Sequence, residues 1–267
     1  MDNKINICTC TESAFLKDEL ERFRQFISQN AEDMTLFSSQ CKQENITDYL
    51  HTAKASAVLL PLHDLPVQLP DGISIAALSP RYALRETLVI KSASIDLNLE
   101  FRVKRGAAVF VSLDRQRFQL SSIRPDLIFV DSKELADAFF SDVSTEIPDG
   151  MESVLLNPKE FLPQPGYGVF AWLTLTENIS LRKLLKTFHH KETAVLTNIE
   201  RKISKINGDQ DINISGAYAW TGHDNNIHLY AGAVIHGGWA SKRISQTSVV
   251  SICENLLEEL SSTTIHS

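Results

Sequence analysis

The most reactive side chains of this sequence belong to four cysteines, Cys8, Cys10, Cys41 and Cys253. Their spacing forms neither a pair of C-x-x-C metal-ligand sets nor the dense pattern of a disulfide-stapled domain, so we expect reduced thiols. Cys8 and Cys10 lie two residues apart, which would place both side chains on one face of a strand. That arrangement is compatible with a pair of metal ligands and equally with two small buried residues.

Two adjacent histidines, His189 and His190, are the other candidates for metal chemistry. They precede a predicted helix, and no third ligand accompanies them at the spacing that a zinc site requires. We therefore interpret both as packing or capping residues and predict no metal site.

The segments that would position these residues follow an α/β pattern. Strands predicted at 4–10, 35–38 and 57–62 alternate with two segments whose apolar residues recur at helical spacing. The unbroken apolar run 57–62 is typical of a strand that is buried on both faces of a parallel sheet. Since ligands bind at the carboxyl ends of such strands, we expect the loops after Ile7 and Leu60 to face one cleft.

A second α/β section begins near residues 79–85. Its predicted elements are a strand at 106–112, a helix at 133–140 and a strand at 153–156, and the run 169–175 is predicted to return to the first sheet. The rest of the chain indicates a small α+β section with helices at 180–187 and 192–205, strands at 214–221, 227–235 and 240–244, and a final helix at 249–260. We expect the apolar stripe of that last helix to be buried; its members are Val249, Ile252, Cys253, Leu256 and Leu260.

Composition limits the class of protein. A chain of 267 residues with 43% hydrophobic and 22% charged content is typical of a soluble globular protein with two or three small cores. The net charge of −7 argues against nucleic-acid binding, which needs clustered basic residues. The longest apolar runs are far shorter than the roughly 18 residues of a membrane span. Because no signal peptide begins at Met1, we expect a cytoplasmic protein that does not bind a membrane.

Four stretches of the chain, in one order, carry a family resemblance. They are His63-Asp-Leu-Pro-Val-Gln-Leu-Pro-Asp-Gly72 with Ile75–Leu78 and Arg81; Ser112-Leu-Asp-Arg115 with Gln119-Leu120 and Arg124-Pro-Asp-Leu127; Pro165-Gly-Tyr-Gly168; and His189-His-Lys-Glu-Thr-Ala194 with Glu200-Arg201 and Gly216-Ala-Tyr-Ala219. In these stretches the chain resembles the hydroxymethylbilane synthase, or porphobilinogen deaminase, family. Four collinear matches over about two thirds of the chain make a chance resemblance improbable.

The resemblance implies a fold and a reaction. The fold is α/β, with two periplasmic-binding-protein-like α/β domains around a cleft and a small C-terminal α+β domain. We expect the first domain at 1–80 with 165–178, the second, which is shortened, at 81–164, and the third at 179–267. The family is a transferase of tetrapyrrole (porphyrin and heme) biosynthesis that condenses four porphobilinogen units to hydroxymethylbilane, with loss of ammonia, on a dipyrromethane cofactor held by a cysteine.

The resemblance also implies site residues. Asp64 corresponds to the catalytic aspartate, which stabilises the positive charge that develops on a pyrrole nitrogen. On the residues alone, Asp64 could equally turn the chain before Pro66 by capping local N–H groups. The resemblance implies that ligand carboxylates are bound by Arg81, Arg85, Ser112 and Arg115. Arg81 and Arg85 are also compatible with solvated charges at a domain boundary.

The chain departs from the family where the chemistry is most demanding. The cofactor cysteine falls at Asp211, whose carboxylate cannot form a thioether and would repel an acidic dipyrromethane. Cys10 stands where the family has an arginine, and Gln116 replaces the second of two paired arginines. Two further arginine-bearing segments have no counterpart between Phe129 and Leu162. We therefore expect the dipyrromethane to be absent and the family activity to be lost or altered.

Three hypotheses remain open at this point. The first is a divergent synthase, for which Cys10 is a candidate replacement tether because a nearby helix N-terminus would lower the pKa of its thiol. The second is a non-catalytic relative, expected to be a monomer, that binds a pyrrole, a smaller carboxylate or an enzyme of the same pathway. The third is an unrelated anion-binding protein that uses the same two-domain clamp.

Overall fold

The computed structural model describes residues 4–31, 34–66, 68–83, 85–141, 146–206 and 212–262. The chain divides into two compact units, Met1–Tyr82 with Gly166–Val195 and Ala83–Pro165 with Leu196–Ser267. Within the described ranges, no helix combines the length and the apolar character that a membrane crossing needs.

The first unit is built on one five-stranded sheet. Its strands, numbered in chain order, are β1 (Lys4–Thr9), β2 (Thr35–Gln40), β3 (Ala57–Pro61), β4 (Ile73–Leu78) and β10 (Phe170–Leu175), and its first helices are α1 (Ala14–Asn30) and α2 (Ile46–His51). The strand order is β2-β1-β3-β10-β4. β1 pairs in parallel with β2 and β3, whereas β10 runs antiparallel to β3 and β4. The predicted βαβαβ connection and the return of 169–175 to the first sheet are both confirmed.

The sheet of the first unit has a hydrophobic core on each face. Alternate residues of β3 enter different cores: Leu59 packs with α1, and Leu60 packs on the opposite face. Both leucines are fully buried, so the predicted burial on both faces is confirmed. The sheet is mixed rather than parallel, because β3 pairs with the antiparallel strand β10. The first core also holds the apolar stripe of helix α4 (Ile179–Phe188). The first unit therefore includes α4. The division into three domains stays a prediction.

A buried carboxylate joins α1 to the rest of this unit. Glu19 is fully buried and accepts hydrogen bonds from Arg22 Nε at 2.8 Å, from Tyr82 Oη at 2.8 Å and from Trp172 Nε1 at 2.7 Å. Burial, followed by the charge of Glu19, raises the pKa of the Tyr82 hydroxyl, which keeps that group a donor. One acidic side chain thus links a helix, a strand and the segment that leaves the first unit.

The second unit contains a five-stranded sheet and a three-stranded sheet. The strands of the larger sheet are β5 (Thr87–Lys91), β6 (Ala108–Phe110), β7 (Ile128–Val130), β8 (Ala138–Ser141) and β9 (Met151–Leu155), in the order β7-β6-β8-β5-β9, and helix α3 (Asp114–Ile123) follows β6. The helix predicted at 133–140 is wrong, because this segment supplies β8. Leu135 and Phe139 have helical spacing, but pairing of 138–141 with β5 and β6 overrides that local signal.

The smaller sheet is antiparallel, with order β11-β12-β13. It consists of β11 (Ile214–Thr221), β12 (Ile227–Ile235) and β13 (Gly238–Gln246), and it is accompanied by helices α5 (Lys191–Ile203) and α6 (Ile252–Ser261). The stripe predicted for the last helix is buried except at Val249, which is 44% exposed because it precedes the first turn of α6. The backbone N–H of Ala217 donates to the Pro163 carbonyl at 3.0 Å, which joins this sheet to the preceding section of the same unit.

We expect Glu19→Ala to lower the free energy of unfolding by about 3–5 kcal/mol, since a buried donor set would lose its charged acceptor. Glu21→Ala is the matched control, because Glu21 forms an exposed ion pair with Arg24 one turn along the same helix. That control should change stability by less than about 1 kcal/mol. Urea unfolding followed by circular dichroism checks the difference, and equal midpoints for the two variants would contradict the assigned role of Glu19.

Candidate functional site

The carboxyl edge of the first sheet collects the candidate residues of the first unit. Because β10 is antiparallel to both β3 and β4, the strands β1 to β4 all run in one direction, and the loops after them meet at one edge. Cys10 follows β1, Asp64 follows β3 and Arg81 follows β4. The antiparallel strand β10 starts at this edge and brings Tyr167 to it.

Asp64 ends a single 3-10 turn, Leu62–Asp64, directly after β3. Its carboxylate is 36% exposed, and Oδ1 lies 3.7 Å from Nε2 of His63. The amide of Gln43 donates to the Asp64 backbone carbonyl at 3.0 Å, which ties the turn to the segment after β2. Within the described residues, the Asp64 carboxylate accepts no backbone N–H, so the structure gives no support to a local capping role.

The Pro165-Gly-Tyr-Gly168 stretch holds this turn in place. Gly166 has a φ of +83°, and a Cβ atom added to it would lie 2.9 Å from Leu62 Cγ. The backbone N–H of Leu62 donates to the Val169 carbonyl at 2.7 Å. The rings of Tyr167 and His63 are 5.3 Å apart, which places an aromatic side chain beside the Asp64 turn. A glycine is therefore needed at 166 for both its conformation and its close approach to the turn.

The cysteines of the first unit form a sulfur cluster at the same edge. Cys10 and Cys41 bring their Sγ atoms to 3.3 Å, and Cys8 lies beneath them, fully buried. All four cysteines of the chain are free thiols, as the sequence predicts. The expected lowering of the Cys10 pKa is wrong, because burial raises the pKa of this thiol. Desolvation of a thiolate outweighs the nearby N-terminus of α1.

In the second unit, Ser112 and Arg85 are both exposed. Ser112 lies between β6 and α3, at the carboxyl end of β6, where backbone N–H groups of the first helical turn lack intrahelical partners. Arg85 immediately precedes β5. Asp211 lies outside the described residues, so the expectation for that position stays a prediction.

Arg115 is buried and has a carboxylate partner within the protein. Its side chain is 3% exposed and forms an ion pair with Glu86, while Nη1 donates to the Leu162 carbonyl. Gln119 also holds Leu162, with Nε2 donating to its carbonyl at 2.9 Å and Oε1 accepting its N–H at 2.7 Å. An external carboxylate would have to displace Glu86 to reach Arg115. The sequence analysis did not identify Glu86 as the partner of Arg115. The one local indication is that Glu86 is a charged residue directly before the run 87–90, which is buried.

Other residues of the four matching stretches hold the chain together. Arg124 donates to the carbonyls of Glu100 at 2.7 Å and Val103 at 2.8 Å, and it forms a bidentate pair with Asp126. His189 Nδ1 accepts the backbone N–H of Leu78 at 2.9 Å, at the end of β4. The interpretation of the histidines as packing or capping residues is therefore confirmed for His189. In the part of the chain that the structure describes, no group of three or more His, Cys, Asp and Glu residues could hold a metal ion.

We expect Arg115→Met to destabilise the protein by about 3–5 kcal/mol, because it leaves the Glu86 carboxylate buried without its partner. Adding Glu86→Leu to Arg115→Met should restore most of the loss. The control is Arg117→Met, which changes an exposed arginine of the same helix and should cost less than about 0.5 kcal/mol. Unfolding in urea measures all three variants, and an Arg115→Met protein as stable as the control would show that the ion pair is not structural.

We expect stability to fall as the pH drops below 6.5, the ordinary pKa of histidine, partly through His189. Burial, with the nearby charges of His190 and Lys191, lowers the pKa of His189 in the folded chain. The unfolded chain therefore binds the proton first, so acid favours unfolding. His189→Asn retains an acceptor for the Leu78 N–H and should flatten the stability profile between about pH 7 and pH 5. The exposed His223→Asn should keep the original slope, and identical profiles for the two variants would rule out this assignment.

One family model and several relatives of known name match parts of this chain. The family model described as "Porphobilinogen deaminase, dipyromethane cofactor binding domain" matches residues 30–138. The porphobilinogen deaminase of Nitratidesulfovibrio vulgaris is 26% identical over 200 residues, which cover 68% of this chain and 62% of that protein. The porphobilinogen deaminase of Chloroherpeton thalassium is 27% identical over 211 residues, covering 72% of this chain and 65% of its own length. This chain thus spans less than two thirds of the length of either relative.

Among solved structures, an ancestral cationic amino acid solute binding protein aligns with a TM-score of 0.43 at 10% identity, covering 70% of this chain and 88% of that one. The matched segment 30–138 contains the Asp64 turn, Arg81, Ser112 and Arg115. The model match and the related sequences agree with the four collinear stretches, and the chain is similar to the porphobilinogen deaminase family.

Proposed function

We propose that this protein acts in tetrapyrrole biosynthesis by binding porphobilinogen or a related pyrrole carboxylate, and that it does not polymerise the pyrrole on a tethered dipyrromethane. The observation that carries the proposal is the Asp64 carboxylate, which is exposed on an anchored turn at the edge where strands β1 to β4 end. Ligands of open α/β sheets bind at this edge.

The chemistry of Asp64 matches one end of such a ligand. Porphobilinogen presents a pyrrole N–H, a cationic aminomethyl group and two carboxylates. A carboxylate accepts the N–H and attracts the ammonium group, and both interactions are charge-assisted. Arg81 follows β4 at the same edge and is partly exposed, and a guanidinium is suited to the ligand carboxylates. His63 and Tyr167 would flank the ring.

The residues of the chain do not fit a thioether-bound cofactor of the family kind. The sequence resemblance places the cofactor cysteine at Asp211, which supplies no sulfur. Cys253, the one thiol after residue 195, is buried in the core of the small sheet, and burial raises its pKa to about 11. A buried thiol that stays protonated is a poor nucleophile. These features support binding of a single pyrrole rather than growth of a covalent chain.

The small number of arginines available to bind ligand carboxylates supports the same conclusion. A growing polypyrrole adds carboxylates with every ring, and the family meets them with arginines. Arg115 is engaged with Glu86, and the chain has cysteine and glutamine at two further arginine positions. Each charge-assisted contact contributes about 1.5–3 kcal/mol, so the loss of several weakens a polyanion far more than a small dicarboxylate.

The test is a titration of the full chain with porphobilinogen, read by thermal shift and by intact mass. We expect a saturable rise in Tm without any change of protein mass, because a ligand that binds only the folded state stabilises it. Asp64→Asn should bind about 10- to 100-fold more weakly, which corresponds to the loss of one charge-assisted hydrogen bond. Asp71→Asn is the matched control, since Asp71 is an exposed aspartate of the same unit that does not belong to the turn.

A flat Tm across porphobilinogen concentrations would contradict the binding proposal, as would equal affinities of the Asp64→Asn and Asp71→Asn proteins. A stable increase in mass together with release of a uroporphyrin-forming product would instead identify a divergent synthase. In that case Cys10→Ser, which removes the alternative tether, should abolish the adduct.

A further inference from the structure

The sulfur cluster of the first unit contains two thiols in direct contact. Cys10 and Cys41 are 31 residues apart in sequence, yet their Sγ atoms are separated by 3.3 Å. Both side chains are partly exposed, at the carboxyl ends of β1 and β2. We propose that Cys10 and Cys41 form a redox-active dithiol that closes reversibly to an intrachain disulfide. The evidence for this dithiol does not rest on the proposed pyrrole binding.

The backbone already has the geometry that the bond requires. β1 and β2 pair in parallel with Cys8 opposite Ser39 and Thr9 opposite Gln40, so Cys10 and Cys41 are the next pair in this register. The N–H of Cys41 donates to the Thr9 carbonyl at 2.9 Å, which continues the ladder to this position. Neighbouring strands lie about 4.8 Å apart, within the range of about 4.4–6.8 Å between Cα atoms that a disulfide spans. To form the bond, the Sγ–Sγ separation must shorten from 3.3 Å to about 2.0 Å.

Cys10 and Cys41 differ from the other two cysteines in being partly exposed to solvent. Cys8 is fully buried and faces Ser39, whose Oγ lies 3.8 Å from its sulfur. Cys253 is buried in the other unit. A dissolved reagent can therefore reach Cys10 and Cys41 but not the other two.

A disulfide explains the pair better than a metal does. Within the described residues, no third ligand completes a site around them.

The oxidant is a low-molecular-weight disulfide, of which glutathione disulfide is the simplest. One cysteine attacks a sulfur of the reagent, breaks its S–S bond and releases one thiol, which leaves a mixed disulfide on the protein. The second cysteine then displaces the other reagent thiol and forms the bond between Cys10 and Cys41. Two electrons and two protons pass from the protein to the two released thiols, so the exchange is balanced.

The bridge would act on the edge that carries Asp64. Cys41 lies two residues before Gln43, whose side chain donates to the Asp64 carbonyl at 3.0 Å. Closing the disulfide fixes the segment after β2 to the end of β1. The covalent state of the pair is thereby linked to the anchoring of the Asp64 turn.

The experiment equilibrates the reduced full chain in glutathione buffers from fully reduced to fully oxidised. The remaining thiols are then alkylated under denaturing conditions, and the protein is digested without reductant. Before alkylation, we expect the intact mass of the oxidised protein to be lower than that of the reduced protein by two hydrogen atoms. After digestion, we expect one peptide pair linked through Cys10 and Cys41, and dithiothreitol should reverse the linkage completely. Cys8→Ala should retain the linked pair, whereas Cys10→Ser and Cys41→Ser should both lose it.

The disulfide and free-thiol assignment of the wild-type protein tests the proposal even if a variant fails to fold. Four alkylatable thiols in the fully oxidised buffer would overturn it. A stable glutathione adduct without a bridge, or a bridge that includes Cys8, would overturn it as well.

Discussion

The first unit depends on a carboxylate from which water is excluded. Glu19 lies inside the protein, where an unpaired charge would be strongly unfavourable, and three different side chains satisfy it. Two of them are close in sequence to the candidate site: Trp172 lies in β10, the strand that follows the Pro165–Gly168 stretch, and Tyr82 directly follows Arg81. The interaction that holds α1 on the sheet therefore also positions the strand and the segment that border the Asp64 turn.

The residues that match the family serve different purposes. Gly166, Arg124 and His189 hold turns and strand ends, and their contacts are local requirements of the fold. Arg115, which the sequence resemblance predicts to bind a ligand carboxylate, is paired within the protein with Glu86. Asp64 alone among these five presents a charge to solvent on a held turn. A family match can therefore preserve an architecture while the chemistry of the site changes.

The cysteine at position 10 illustrates such a change. At the position where the sequence resemblance predicts an arginine in the family, this chain has a thiol in contact with a second thiol, which follows the neighbouring strand. A thiol is neutral and can be oxidised, so it cannot pair with a ligand carboxylate as an arginine does, but it can form a disulfide. Burial raises the pKa of both thiols, so thiol–disulfide exchange at this pair is slower than at a fully exposed cysteine.

Much of the fold could be predicted because its signals are local. The order β1-α1-β2-α2-β3, the two-sided burial of β3 and the position of Asp64 after that strand all follow from periodicity and motif within short windows, whereas the sequence analysis did not predict β4. The strand at 138–141, the contact of Cys10 with Cys41 and the pairing of Arg115 with Glu86 could not, since each joins residues far apart in the chain. The raised pKa of Cys10 is of the same kind, because desolvation depends on every neighbour that folding brings near. Local pattern sets which elements form; pairing partners, burial and charge states arise when those elements pack.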